Sequence, residues 1–138
     1  MNSRLDEMQA AILRARLPHL RGRTMQRRAL AAQYRSLLSG ANVVVPPELD
    51  PGHVYHLFPI RAPHRATLQD RLRASGIETL VHYPVPISQQ PAFASTEPAE
   101  CPHAVRAAGQ VLSLPLHPGL SPDTIAAVAD AVRKESSS

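Results

Sequence analysis

Apolar residues recur at helical spacing from the start of the chain, at Leu5, Met8, Ile12 and Leu13, and Ser3 followed by Asp6 and Glu7 reads as an N-cap with acids in the first turn. Pro18 ends or kinks this helix and suits the first turn of a second one, where its missing N–H costs nothing. The second helix carries Tyr34, Leu37 and Leu38 inward and stops near Gly40. Beyond Gly40 the pattern changes. Val43 to Val45 is a short extended run closed by Pro46 and Pro47, His53 to Arg61 has strand composition, and Leu68, Leu72 and Ile77 mark a helix ending at Gly76. Glu78 to Tyr83 reads as a second strand stopped by Pro84, Ala104 to Val111 as a helix weakened by Gly109, and Leu112 to Leu116 as a third strand. Ser121 caps a last helix with Pro122 in its first turn and Ile125, Val128 and Val132 facing inward.

The pattern predicts an α+β fold: two N-terminal helices, then a small three-stranded sheet packed with helices. Leu57, Ile60, Leu80, Leu114, Ile125 and Val128 are expected in its core. Residues 1–40 form the helical segment, 41–135 a small α/β domain and 136–138 a disordered tail, all in one compact unit. A length of 138 residues fits that unit and leaves little room for a second full domain.

Charge adds one anomaly. Of 15 basic residues only Lys134 is a lysine, and no acid stands between Glu7 and Glu48, a stretch that holds seven arginines. Arg14, Arg21, Arg28 and Arg35 are spaced by seven, a stripe on a continuous helix. A phosphate- or nucleic-acid-binding face is one reading. A solvated helix surface is the favoured one, because the five aromatic residues do not interleave with the arginines as a stacking platform requires.

Candidate metal chemistry is thin. His53 and His56 are three apart on a predicted strand and point to opposite faces, and Cys101 with His103 lacks a second ligand pair, so no metal site is expected. A single cysteine excludes an internal disulfide and points to a reducing, cytoplasmic setting. No run of about 18 apolar residues marks a membrane span. His82 and Tyr83, at a strand end before Pro84-Val85-Pro86, are the pair that a rigid loop would present to a pocket.

Four ordered motifs give these residues a context: Asn2-Ser3-Arg4-Leu5-Asp6-Glu7-Met8, Tyr55-His56-Leu57-Phe58, His82-Tyr83-Pro84-Val85-Pro86 after Gly76-Ile77, and Leu112-Ser113-Leu114-Pro115-Leu116-His117. In this order they resemble the C-terminal part of the DegT/DnrJ/StrS sugar aminotransferases, pyridoxal-phosphate enzymes of fold type I, from Asn2 to about Arg133. The resemblance implies the small domain of such an enzyme, with the large domain that binds pyridoxal phosphate and supplies the Schiff-base lysine preceding it. It implies a reaction that moves an amino group from an amino-acid donor to a keto-sugar nucleotide. Asn2 then corresponds to the residue that reaches the cofactor phosphate of a neighbouring subunit, and Arg4, His82 and Tyr83 to substrate contacts. Ser88 stands where the family commonly carries a histidine near the sugar nucleotide, and Lys134 matches no family lysine.

The resemblance therefore implies a truncated or split gene product without a catalytic residue of its own, completed by a large domain or a homodimer partner. Two other readings stay open: a noncatalytic module that pairs with a full-length aminotransferase, and an arginine-rich nucleic-acid binder.

Overall fold

A computed structural model describes residues 6–93 and 100–137. Helix α1 (Glu7–Arg16) is capped by Asp6, whose carboxylate accepts from the Met8 N–H at 3.1 Å. Ser3, expected as the cap, lies outside the described residues. Pro18 tightens the chain instead of breaking it. It sits in a single 3-10 turn, Leu17–His19, flanked by right-handed helical residues, and α2 (Leu20–Leu37) continues from there. Gly40 then turns the chain with φ 77°, a left-handed conformation that favours glycine.

The remaining elements are β1 (Phe58–Arg61), α3 (Arg65–Ala74), α4 (Pro102–Gln110), β2 (Val111–Leu114) and α5 (Pro122–Ser136), with 3-10 turns at Ile87–Gln89 and Pro91–Phe93. β1 is shorter than the predicted His53–Arg61 strand because Tyr55 sits at φ 49°, which interrupts extended backbone. Ser121 caps α5 by accepting from the Thr124 N–H at 3.1 Å. Ser136, expected to open a tail, is the last residue of α5, and its carbonyl accepts from Asn42 Nδ2 at 2.9 Å.

The described sheet has two strands, not the three expected. β1 and β2 are antiparallel, with Phe58 opposite Leu114 and Ile60 opposite Leu112. The predicted strand Glu78 to Tyr83 is reduced to one rung, Leu80 with Ser113, and Val44 makes one rung with Arg61. Prolines and the C-terminal end of α4 account for the two truncations. Continuing the Leu80 register calls next for an N–H from Pro115, which has none, and on the other side for that of Val111, which is already spent on the Ala107 carbonyl of α4. Continuing the Val44 register sets Pro46 against Pro59, and Asn42 against Pro63. Both ladders therefore stop at one rung.

One face of the strand pair carries Phe58, Ile60, Leu112 and Leu114, and α2, α3 and α5 close over it with Tyr34, Leu72, Ile125 and Val132, all fully buried. Tyr34 stacks on Phe58 with ring centroids 4.9 Å apart and donates to the Pro115 carbonyl at 2.9 Å. Of the expected core, Ile60, Leu114, Ile125 and Val128 are buried and Leu57 is half-buried. Leu80 is not: it is 55% exposed. As the partner of Ser113 it lies on the opposite face of the sheet, while Thr79 and Val81 turn inward.

Candidate functional site

The sheet's second face carries the candidate site. Strand alternation places His82, two residues beyond Leu80, on the same face as Leu80 and Ser113. His82 Nδ1 lies 3.0 Å from Ser113 Oγ, and the Tyr83 ring stands edge-on to the imidazole with centroids 5.6 Å apart. The His82–Tyr83 peptide bond is cis. Tyr83 is 72% exposed, so its phenol is presented outward. Pro84 and Pro86 limit the backbone of the following loop, and the 3-10 turn at Ile87–Gln89 brings that loop opposite α4.

A cleft runs between the loop and the helix. Val85, Ile87, Ala104, Ala107 and Val111 make its walls apolar, with His82 and Tyr83 supplying the polar groups. An apolar trough with a few convergent hydrogen-bonding groups suits binding and orientation of a ligand. Cys101 and Ser88 line the same cleft. Among the described residues no group of three His, Cys, Asp or Glu side chains is placed to hold a metal ion. His53 and His56 lie in the loop before β1 rather than on a strand, and His53 Nδ1 is occupied by the Tyr55 N–H at 3.1 Å.

Of the four residues expected to bind cofactor or substrate, the structure brings His82 and Tyr83 together. Asn2 and Arg4 fall outside the described residues. Sequence reasoning missed Ser113, the polar member of an otherwise apolar run. Its signal was available in the pattern: a serine between Leu112 and Leu114 belongs to the face opposite those two apolar side chains.

Two members of the arginine stripe, Arg28 and Arg35, and their neighbour Arg27 have structural work. Arg27 Nε donates to the Val54 carbonyl at 2.9 Å, and Arg35 Nη1 to the Pro46 carbonyl at 2.5 Å. Arg28 bonds the Pro51 carbonyl and pairs with Glu48 at 3.3 Å. Three guanidiniums thus fasten the loop between Pro46 and Val54 to α2. At its centre Tyr55, buried, donates its phenol to Glu48, with Arg35 5.9 Å above its ring. Burial first, and then the bond to Glu48, push the Tyr55 phenol above its ordinary range.

Pyridoxal phosphate requires an amine that is held in place and partly desolvated. Lys134 is the chain's one lysine. Its side chain is 82% exposed and lies 3.6 Å from the Glu135 carboxylate. Lys134 therefore does not fit the role of that amine.

The chain belongs to the DegT/DnrJ/EryC1/StrS aminotransferase family, whose profile matches residues 1–133. Among its relatives is a dTDP-3-amino-3,4,6-trideoxy-alpha-D-glucose transaminase of Streptomyces venezuelae, 49% identical over 96% of this chain and 36% of the relative. A pleiotropic regulatory protein of Geobacillus stearothermophilus is 50% identical over 86% of this chain and 34% of its own length. The crystal structure of S. venezuelae DesV superposes with a TM-score of 0.90 at 46% identity, over 97% of this chain and 37% of DesV. The chain therefore spans about a third of the length of the relatives it matches.

Proposed function

We propose that this chain contributes the small-domain portion of a pyridoxal-phosphate-dependent sugar aminotransferase and does not complete amino transfer by itself. The supporting observation is the pairing of a presented His82–Tyr83 edge, beside an apolar cleft, with a sole lysine that stands in solvent. The cofactor, held by a large domain or by a homodimer partner, supplies the electron sink for moving an amino group from an amino-acid donor to a keto-sugar nucleotide. This chain's share is binding. His82 and Tyr83 hold and orient the sugar nucleotide, Arg4 adds a contact to it, and Asn2 reaches toward the cofactor phosphate. The small α/β domain of residues 41–135 and the helical segment 1–40 act as one unit in that assembly, and a cytoplasmic location belongs to the same proposal.

The test is reconstitution. Glutamate-dependent amination of a dTDP-linked 3-keto sugar is measured with the chain alone, with a separately expressed large domain alone, and with both. Turnover is expected only in the mixture, and turnover by the chain alone overturns the proposal. A second reading, a noncatalytic module pairing with a full-length aminotransferase, draws on the exposed apolar residues Met8, Ile12 and Leu13 of α1. It predicts binding to an intact enzyme with no new activity in any mixture. The nucleic-acid reading draws little from the arginine face, because Arg27, Arg28 and Arg35 are bonded to the 46–55 loop.

A further inference from the structure

We infer that Ser113 is a positioning residue for His82, fixing the tautomer and orientation of the imidazole so that Nε2–H is the group turned toward a ligand. Its use in substrate binding rests on the function proposed above, but the positioning itself does not.

Ser113 is 5% exposed and lies on the face of β2 turned away from the main core. Both of its backbone groups are spent on Leu80: its N–H donates to the Leu80 carbonyl at 2.7 Å, and its carbonyl accepts from the Leu80 N–H at 3.2 Å. That leaves the hydroxyl. Among the described residues its one partner is His82 Nδ1 at 3.0 Å. A buried hydroxyl proton without an acceptor is costly, so Oγ–H donates to Nδ1 and the neutral ring carries its proton on Nε2. The Leu80–Ser113 rung fixes the distance, because it sets Ser113 diagonally across from His82 on one sheet face. With Nδ1 turned to the sheet, the opposite edge of the ring faces outward beside Tyr83 and the cleft.

The experiment is a long-range proton–nitrogen correlation spectrum of the His82 ring in the full 138-residue chain, recorded across pH for the wild type, Ser113→Ala and Ser113→Thr. The wild type is expected to show a single Nε2–H tautomer with Nδ1 as a hydrogen-bond acceptor. Ser113→Ala should populate both tautomers, moving the two nitrogen shifts toward each other, and Ser113→Thr should restore the wild-type pattern. Methyl shifts of Leu112 and Leu114 report whether the core is intact. Should Ser113→Ala fail to fold, Ser113→Cys, a weaker donor of similar size, is read the same way. Unchanged ring shifts in Ser113→Ala, or a proton on Nδ1 in the wild type, overturn the inference. The substrate reading fails separately, through an unchanged KM for His82→Gln in the reconstituted mixture while the tautomer pattern stands.

Discussion

Leu114 and Leu80 have the same side chain and sit in segments that both read as strands, yet the sheet treats them oppositely. Leu114 faces the helices and is 3% exposed, whereas Leu80 is 55% exposed. Leu114→Ala should therefore cost about 2–5 kcal/mol in a urea titration, and Leu80→Ala about 0.5 kcal/mol or less. Equal losses would contradict the assignment of faces. Two phenols give a second residue-scale expectation. Burial raises the pKa of Tyr34 above its ordinary 10.0, and burial with the Glu48 bond raises that of Tyr55. Both groups hold their protons more tightly folded than unfolded, so their contribution is complete below about pH 10 and is lost as pH climbs toward the folded values. Denaturation midpoints should stay level in these two respects up to about pH 10 and fall above it. Tyrosinate absorbance from Tyr34 and Tyr55 should appear together with unfolding.

At the scale of elements, what could be read from sequence divides along a physical line. Helices were legible because each carries its own hydrogen bonds and stop signals: Ser121-Pro122 for α5, Gly76 for α3, Gly40 after α2. Strand pairing was not, because it depends on a partner's register. Pro115 reads as a harmless stop until the Leu80–Ser113 rung shows that its missing N–H falls where the next bond belongs. The candidate site divides in the same way. His82 and Tyr83 were marked by the prolines that follow them, while the bond between Ser113 and His82 becomes visible only across the strand pair.

Helix α4 offers a direct check on local propensity. Gly109 is exposed in its last turn, and a Cβ there meets nothing within 4 Å. Gly109→Ala should stabilise the chain by about 0.5–1 kcal/mol, measured by thermal melting. Helix α1 presents the opposite case, since it contributes no buried residue and exposes Met8, Ile12 and Leu13, followed by Leu17 and Leu20. Such a surface favours association. Sedimentation of the chain at high concentration should reveal self-association that Ile12→Glu weakens, and a strict monomer would argue against this role for the helix.

For the molecule as a whole the deciding quantity is the supply of amines. The aminotransferase family is represented here by a chain whose one lysine has a side chain 82% exposed and adjacent to Glu135. An exposed side chain of this kind is not held and desolvated as imine formation with the cofactor requires. Pyridoxal phosphate added at one equivalent should thus show no stoichiometric change in absorbance, and borohydride followed by mass spectrometry should find no single dominant Lys134 adduct. A large domain added in trans changes the expectation, because the function proposed above has Asn2 reach toward the cofactor phosphate. Asn2→Ala should weaken cofactor retention in that mixture by roughly 1.5–3 kcal/mol, the worth of one hydrogen bond to a charged acceptor. Dialysis against buffer, with cofactor fluorescence followed in the retained protein, separates the cases. Equal retention by wild type and Asn2→Ala would remove Asn2 from the assembled site, and a stoichiometric Lys134 adduct with turnover by the chain alone would overturn the view that its cofactor chemistry depends on a second segment.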